Sequence, residues 1–175
     1  MRFLHTSDWH LGKALRGQSR LEEQSAVLGE IVEVARAASV DLVLVAGDVF
    51  ETSMPAPDAQ RLAWSTLLEL RSSAEVVVIA GNHDNGNVFE ALRPLAAAAG
   101  ITLIGRPARP DEGGVVELVC GGEAVRVALL PFCSQRGIVR SAELLAGEAS
   151  DHAGRYAERV AAVLARLMSG FTADA

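Results

Sequence analysis

The sequence predicts an α/β fold, and three observations lead to that prediction. Short apolar runs alternate with longer segments in which apolar residues recur every three or four positions, the pattern of β-α units. Two of these runs, 42–46 and 76–79, are continuous and rich in valine, as in strands covered on both faces. Half of the 175 residues are hydrophobic, which is enough to bury the core of one domain.

The elements of this fold can be placed in chain order. Apolar runs predict four strands, and helical periodicity predicts three helices between them; the strands are 2–7, 42–46, 75–80 and 101–104, and the helices are 20–38, 58–72 and 88–99. Asp58 is predicted to cap the second helix, and Pro94 to break or shorten the third. His5, inside the first strand, is predicted to be buried.

The remaining segment predicts a hairpin and a helix. Gly121, Gly122 and Glu123 separate two runs, 115–120 and 124–130, and such a glycine-containing separator is a good hairpin signal. An amphipathic pattern over 154–169 predicts a final helix. An alternating α/β pattern would ordinarily continue into another strand. We therefore interpret 1–175 as the N-terminal part of a longer domain, truncated on its C-terminal side.

Composition limits the function and the compartment. The formal charge is −6 and the pI is about 5.2, whereas dedicated DNA binders are usually basic. A DNA ligand would need metal ions, local cations or a partner protein to hold it. Two cysteines without CxxC spacing indicate a reducing cytoplasm. We expect a cytoplasmic protein without a membrane anchor, because there is no leader-like segment and no run near the roughly 20 apolar residues of a span.

Three polar clusters follow the first three main strands. They are Asp8-Trp9-His10, Gly47-Asp48 and Gly81-Asn82-His83-Asp84. Taken singly, each is common in turns and helix caps. Because the carboxyl ends of parallel strands meet at one edge of a sheet, the three clusters together predict a single site.

The donor atoms of these clusters suit divalent metals. The predicted ligands offer carboxylate, imidazole and amide groups without thiolate, a set that favours Mn²⁺, Mg²⁺, Fe or Zn; they are Asp8, His10, Asp48 and Asn82. The Asp48 carboxylate could bridge two ions roughly 3.5–4 Å apart, which would clamp a phosphoryl group in line for displacement. His83 is the predicted catalytic residue, as proton donor or charge stabiliser. Asp84 is expected to orient the His83 imidazole.

The D-x-H, G-D and G-N-H-D motifs resemble those of the calcineurin-like metallophosphoesterase superfamily. The longer strings 5–13 and 45–50 are similar, more narrowly, to the SbcD-type family of bacterial DNA-repair nucleases. The resemblance implies a four-layer sandwich of two mixed sheets flanked by helices. It also implies two metal ions, usually Mn²⁺, with His83 as the catalytic histidine and with ligands among the matching positions, namely Asp8, His10, Asp48 and Asn82.

The same resemblance implies an activity and partners. SbcD-type proteins act as exonucleases on duplex DNA and as endonucleases on single strands and hairpins, in DNA repair, recombination and replication. DNA and an SbcC-type, SMC-like ATPase are therefore the implied partners, and homodimerisation is left open. No phosphate-binding loop is present in this chain, so any ATP dependence would come from a partner.

Two departures from the family pattern modify the prediction. The family's later Gly-His and Gly-His-x-His ligand motifs do not occur, and the remaining histidine, His152, is predicted to be a surface residue. Some relatives have a histidine where this chain has Glu51, so the family's phosphate positioning is not carried over to that residue. Glu51 and Asp84 are assigned only supporting roles behind the ligands. We predict weak, single-metal binding and little nuclease activity for the isolated chain.

The segment from Trp9 to Arg20 contains no acid but three cations, Lys13, Arg16 and Arg20. Beside the first metal loop, these cations are candidate contacts to DNA phosphates, with solvated loop charges as the alternative. Trp9 is expected to pack in the core. Two alternatives to a DNA nuclease remain: a two-metal phosphoesterase acting on nucleotides or phosphoproteins, and a non-catalytic truncated domain.

Overall fold

The computed structural model describes residues 1–134 and 156–171. The main strands are β1 (Phe3–Thr6), β4 (Leu42–Ala46), β5 (Glu75–Ile79) and β6 (Ile101–Ile104), and β2 (Ala14–Leu15) and β3 (Gln18–Ser19) form a small hairpin. A longer hairpin consists of β7 (Val115–Cys120) and β8 (Glu123–Ala128). The helices are α1 (Leu21–Ala37), α2 (Pro57–Arg71), α3 (Gly86–Ala98) and α4 (Tyr156–Leu167), with short 3₁₀ turns at Pro110–Glu112 and Met168–Gly170.

The four main strands form one parallel sheet in the order β1-β4-β5-β6. Each neighbouring pair is parallel, with His5 opposite Leu44 and Leu44 opposite Val77. Because the strands run in the same direction, the loops that follow β1, β4 and β5 leave the sheet at the same edge. The predicted α/β class is confirmed, and this edge carries the three polar clusters.

One face of this sheet packs against α1, α2 and α3. Alternate strand residues such as Val43, Val45, Val76 and Val78 point into this core, where they meet Leu28 of α1 and Leu67 of α2. Trp9 is also part of this cluster and is 8% exposed, so its predicted packing role is confirmed. The loop that carries Asp8 and His10 is thus anchored in the main core.

The opposite face of the sheet packs against the β7–β8 hairpin, and α4 covers the far side of that hairpin. Leu42, Val77 and Ile104 of the sheet meet Cys120 and Leu129 at the first contact, and Val163 and Leu167 of α4 join Cys133 in the second cluster. The order helix, sheet, sheet, helix is the four-layer arrangement expected from the family resemblance. In the described residues, the large sheet is wholly parallel and the hairpin is antiparallel, so neither is mixed.

The sequence located the second and third helices within two residues but misjudged two local details. Helix α2 begins at Pro57, whose fixed φ suits the first helical turn, with Ala56 at the N-cap position. Asp58 makes no capping hydrogen bond and pairs instead with Arg61. Helix α3 continues through Pro94 to Ala98, because Ala96 is buried in the core and this packing offsets the hydrogen bond that proline removes.

Two further expectations concern side-chain burial and the chain's last third. His5 is exposed, not buried, because β1 lies at the edge of the sheet beyond the cover of the β7–β8 hairpin; its neighbour Phe3 on the same face is 60% exposed. The predicted 115–120 hairpin strand is confirmed, and Gly121 and Gly122 form its turn with positive φ. His152 and the start of the predicted 154–169 helix lie outside the described residues.

The β2–β3 hairpin was not predicted. Its strands have two residues each, too few for an alternating pattern to be recognised, and its turn places Arg16 and Gly17 at positive φ. In the part of the chain that the structure describes, no helix is long and apolar enough to cross a bilayer.

Candidate metal centre

The first two polar loops run side by side at the carboxyl edge of the sheet. The Asp8 amide donates to the Gly47 carbonyl over 3.1 Å, and the His10 amide donates to the Asp48 carbonyl over 2.9 Å. Leu11 extends this pairing as a parallel bridge to Phe50. The sheet pairing between β1 and β4 therefore continues into the loops and brings Asp8, His10 and Asp48 together.

These three residues also share an unusual backbone conformation. Asp8, His10 and Asp48 have φ values of 57°, 45° and 51°, in the left-handed region that non-glycine residues rarely adopt. Such conformations cost about 1–3 kcal/mol each and cluster at functional sites, where the surrounding structure enforces them. The inter-loop hydrogen bonds supply that enforcement here.

Two glycines allow the second and third loops to touch. A β-carbon on Gly47 would lie 2.8 Å from the Gly81 α-carbon, and one on Gly81 would overlap the backbone amide and carboxylate of Asp48. Gly47 also has a φ of 91°, which favours glycine. The glycines of the G-D and G-N-H-D motifs are therefore required by close backbone approach.

The Asp84 carboxylate ties these two loops together. It accepts hydrogen bonds from the backbone amides of Val49 (3.2 Å), Phe50 (2.9 Å) and Gly81 (2.8 Å). Burial raises the pKa of Asp84, while these hydrogen bonds act in the opposite direction. The expectation that Asp84 orients the His83 imidazole is wrong, because the carboxylate is occupied by backbone groups.

The donor atoms of His10, Asp48 and His83 lie within 4.8 Å of one another, close enough to share a metal ion. His10 Nε2 is 3.9 Å from Asp48 Oδ2 and 3.7 Å from Asp8 Oδ1. Asp48 is nearly buried, whereas the Asp8 side chain is 66% exposed and accepts a hydrogen bond from the Ser7 hydroxyl. Asn82 is exposed on the same loop as His83.

His83 is held at two points. Its amide donates to Asp48 Oδ1 over 2.9 Å, and its Nδ1 lies 2.7 Å from the carbonyl oxygen of Glu51. A carbonyl can only accept, so Nδ1 carries the proton and Nε2 is the free ring nitrogen. The hydrogen bond to Glu51 raises the pKa of His83 above its ordinary value, with smaller contributions from the negative charges of Asp48 and Glu51. The ring meets that of His10 edge to face, with 4.8 Å between centroids.

Gln24 of α1 supports the first loop, and sequence reasoning missed it. Its side-chain amide donates to the carbonyls of Trp9 (3.2 Å) and His10 (2.6 Å), and its oxygen accepts from the Gly12 amide (3.1 Å). Nothing in the sequence marks this glutamine, since it belongs to no motif and becomes a loop support only through the packing of α1.

The three predicted DNA-contacting cations are not equally free. Arg20 makes a two-pronged ion pair with Glu23, and the Lys13 ammonium lies 3.5 Å from Glu51. Arg16 lies at the exposed tip of the β2–β3 hairpin and forms no ion pair within the described residues. Lys13 and Arg20 line a groove of about 350 Å³ that also contains Asp8 and His10.

The donor set fits a divalent cation. Carboxylate and imidazole groups from three separate loops converge without a thiolate among them, and His10 presents Nε2 to both aspartates. Close contact between Gly47 and Gly81 keeps the loops near enough for this convergence. A divalent ion bound here would offset the concentration of negative charge.

Comparison with known proteins agrees with this geometry. Residues 1–132 match the family described as Calcineurin-like phosphoesterase. The chain belongs to this family. Family membership agrees with the parallel sheet flanked by helices and supports divalent-metal binding by this protein.

Several relatives carry a more specific name, that of the SbcD chain of the nuclease SbcCD. The chain is 42% identical over 137 residues to the SbcD of Bacillus subtilis, 35% over 144 residues to that of Rhodobacter capsulatus, and 33% over 142 residues to that of Escherichia coli K12. These alignments cover 77–81% of this chain but only 33–35% of the relatives. The resemblance to SbcD-type nucleases is confirmed, and the chain spans about a third of their length.

Proposed function

We propose that this chain is the metal-binding part of a DNA nuclease that hydrolyses phosphodiester bonds. The observation that carries this proposal is the cluster of His10, Asp48 and His83, whose donor atoms lie within 4.8 Å of one another in a phosphoesterase family member. The word nuclease in the names of its relatives supports nucleic-acid cleavage over other phosphoesterase reactions, and the resemblance of the 5–13 and 45–50 strings to SbcD-type DNA-repair nucleases favours DNA.

In this proposal the site residues have distinct roles. Asp8, His10, Asp48 and Asn82 would hold the ions. Two divalent cations, with Mn²⁺ as the favoured metal, would supply an activated hydroxide and neutralise the phosphate charge. Arg16, with Lys13 and Arg20, contacts the DNA backbone beside the site.

His83 is proposed as the proton donor to the leaving oxygen. Its Nδ1 donates to the Glu51 carbonyl, which leaves Nε2 as the ring nitrogen that would carry the transferred proton. That proton is available on the free side of the ring. General acid catalysis of this kind contributes typically about 10²–10⁴-fold to a rate.

The wider setting is also a proposal. Because the relatives are SbcD chains of SbcCD nucleases, we infer that the whole protein works with an SbcC-type ATPase on DNA ends and hairpins, in repair and recombination. Residues 1–175 would form the N-terminal part of its nuclease domain, and later loops would complete the second metal site. Cys120 and Cys133, both within the described residues, are buried thiols that form no disulfide, which is compatible with the cytoplasm. Homodimerisation would be compatible with this arrangement.

Two variants test the assignment of roles. Asp48→Asn should lower Mn²⁺ affinity by more than about 100-fold, since even supporting residues cost about 10–100-fold. His83→Asn should keep Mn²⁺ affinity within a few-fold while lowering the rate on a fluorescent hairpin DNA by about 10²–10⁴-fold. Isothermal titration and gel assays measure the two quantities separately, and equal loss of Mn²⁺ binding in both variants would make His83 a ligand instead.

The substrate class is tested with the same protein. We expect Mn²⁺-dependent cleavage of duplex or hairpin DNA to be faster than hydrolysis of bis(p-nitrophenyl) phosphate or p-nitrophenyl phosphate. Turnover by the isolated chain should be weak. Preference for the small monoester would favour the nucleotide or phosphoprotein alternative. Mn²⁺ binding without turnover on any substrate, in this chain and in one extended to the relatives' length, would favour a non-catalytic domain.

A further inference from the structure

Glu51 contacts both histidines of the candidate metal centre, each through a different group. Its carboxylate Oε2 lies 2.8 Å from Nδ1 of His10, and its backbone carbonyl accepts a hydrogen bond from Nδ1 of His83 over 2.7 Å. Its own amide donates to the Leu11 carbonyl over 3.1 Å, which fixes the residue beside the first loop. One residue therefore lies behind both imidazoles.

The contact between Glu51 and His10 is close but incomplete. Both atoms are buried and have no hydrogen-bond partner, because the alignment of ring and carboxylate falls short of a hydrogen bond despite the 2.8 Å separation. The Lys13 ammonium, 3.5 Å from the same oxygen, partly balances its charge. Two buried polar atoms at this distance can satisfy one another through a small rotation of either side chain.

We propose that Glu51 is a positioning residue that fixes both histidines in the same tautomer, with the proton on Nδ1. The inference rests on the proposed metal centre and deepens it. A carboxylate and a carbonyl can only accept, so each favours the Nδ1–H form of the ring it faces. Nε2 of His10 then points toward Asp8 and Asp48, where its distances to both carboxylates already place it.

The two contacts predict an asymmetry that a merely structural role would not produce. The His10 contact uses the Glu51 side chain and is lost on substitution, whereas the His83 contact uses the backbone and persists. Substituting Glu51 should therefore release one histidine and leave the other in place. A general loosening of the loop would affect both.

Nuclear magnetic resonance of the metal-free protein can measure this difference between the two histidines through their tautomers. The chain has only four histidines, so ¹⁵N-labelled imidazoles can be assigned by removing each in turn. At mildly alkaline pH, His10 and His83 should both show the Nδ1–H tautomer in the parent protein. In Glu51→Ala, His10 should move to a mixture of tautomers while His83 keeps its signals. An unchanged His10, or equal shifts at both rings, would overturn the proposal.

Metal affinity gives a second readout. Glu51→Gln preserves shape and should weaken Mn²⁺ binding by about 10- to 100-fold, the usual cost of losing a carboxylate behind a metal-binding histidine. Glu23→Gln is the matched control, because Glu23 lines the groove next to Asp8 and His10 but pairs with Arg20 and contacts neither the His10 nor the His83 ring. The Mn²⁺ affinity of this control should stay within about twofold of that of the parent protein. Equal losses of Mn²⁺ affinity in the two variants would mean that the effect comes only from the removed negative charge, and this would contradict the proposal.

The two readouts separate failure of the proposal from failure of the metal centre. If the parent protein binds no Mn²⁺, the metal centre is refuted, whereas the tautomers of the metal-free protein still decide the role of Glu51. If Glu51→Ala does not fold, Glu51→Met, which keeps the side-chain length but has no oxygen acceptor, is used for the tautomer measurement, and Glu51→Gln still gives the Mn²⁺ affinity. Release of the His10 tautomer with retained Mn²⁺ affinity would contradict a positioning role.

Discussion

At the scale of single residues, the backbone at Asp8, His10 and Asp48 sets the chemistry of the site. Left-handed φ values turn the carboxylates and the imidazole of neighbouring loops toward a common point. None of the three is glycine, so the conformation is maintained by its hydrogen bonds to the adjacent loop. The strain is therefore coupled to the geometry that a metal ion would use.

Removing the Asp84 carboxylate should destabilise the protein. In Asp84→Ala, the amides of Val49, Phe50 and Gly81 lose their acceptor, and an unsatisfied buried amide costs about 1–3 kcal/mol. We expect a loss of about 2–4 kcal/mol in the free energy of unfolding, measured in urea. Asp58→Ala, which removes an exposed carboxylate paired with Arg61, should cost no more than about 1 kcal/mol. Equal losses would contradict a bridging role.

At the scale of elements, the approach of the G-D and G-N-H-D loops depends on Gly81. A β-carbon in Gly81→Ala would overlap Asp48, so the loops must separate. We expect Mn²⁺ affinity to fall at least about tenfold and stability by about 1–3 kcal/mol, the usual cost of overpacking. Gly29→Ala is the control, because Gly29 lies within α1 with no neighbour near its added carbon, and it should stabilise by about 0.5–1 kcal/mol.

The β2–β3 hairpin should contribute to DNA binding through Arg16. Arg16 has no ion pair in the described part of the chain. When Arg16 neutralises a DNA phosphate, the release of counterions from the DNA is therefore not offset by the loss of a local ion pair. Arg16→Ala should reduce the slope of log affinity against log salt by about one. Binding to a cleavage-resistant phosphorothioate hairpin, followed by fluorescence anisotropy, gives this slope.

Alanine variants at two further arginines serve as comparisons for Arg16→Ala. Arg20→Ala should change the slope less, since Glu23 already neutralises Arg20, and alanine at exposed Arg166 on α4 should change it little. An effect at Arg166 as large as at Arg16 would mean that the hairpin does not bind DNA specifically.

Sequence patterns predicted the bounds of the elements best where an apolar run is continuous and buried. The strands 42–46 and 101–104 agree with β4 and β6 in both bounds, because continuous buried runs have clear ends. The predicted break or shortening of α3 at Pro94 was wrong, because core packing at Ala96 outweighs the local effect of the proline. The β2–β3 hairpin lacks any period, and Gly17 was its only sequence signal.

The candidate site was predictable to the extent that it depends on strand ends. Parallel strands bring the three motifs to one edge, so the convergence of His10, Asp48 and His83 followed from order alone. The residues that hold these side chains in place could not be predicted from the order of the motifs. Gln24 acts through the packing of α1, and the atoms that Glu51 directs to each histidine depend on loop conformation.

At the scale of the whole molecule, the four layers place the site at one open edge of an acidic protein. The net charge of −6 would repel DNA at long range, so bound cations must reverse the local field before a phosphate can approach. Exposed Phe3 and His5 lie on the sheet face beside the β7–β8 hairpin. The chain spans about a third of the length of its relatives, which is consistent with a proposed role as part of a larger nuclease.

The most direct test of this account is an anomalous-diffraction map from a crystal soaked in Mn²⁺. The predicted result is a peak in coordination with the Asp48 carboxylate and His10 Nε2, within reach of Asp8, that disappears in Asp48→Asn. Ordered loops with no anomalous peak among these side chains, or with Mn²⁺ bound only elsewhere, would contradict the claim that the sheet assembles a divalent-metal site.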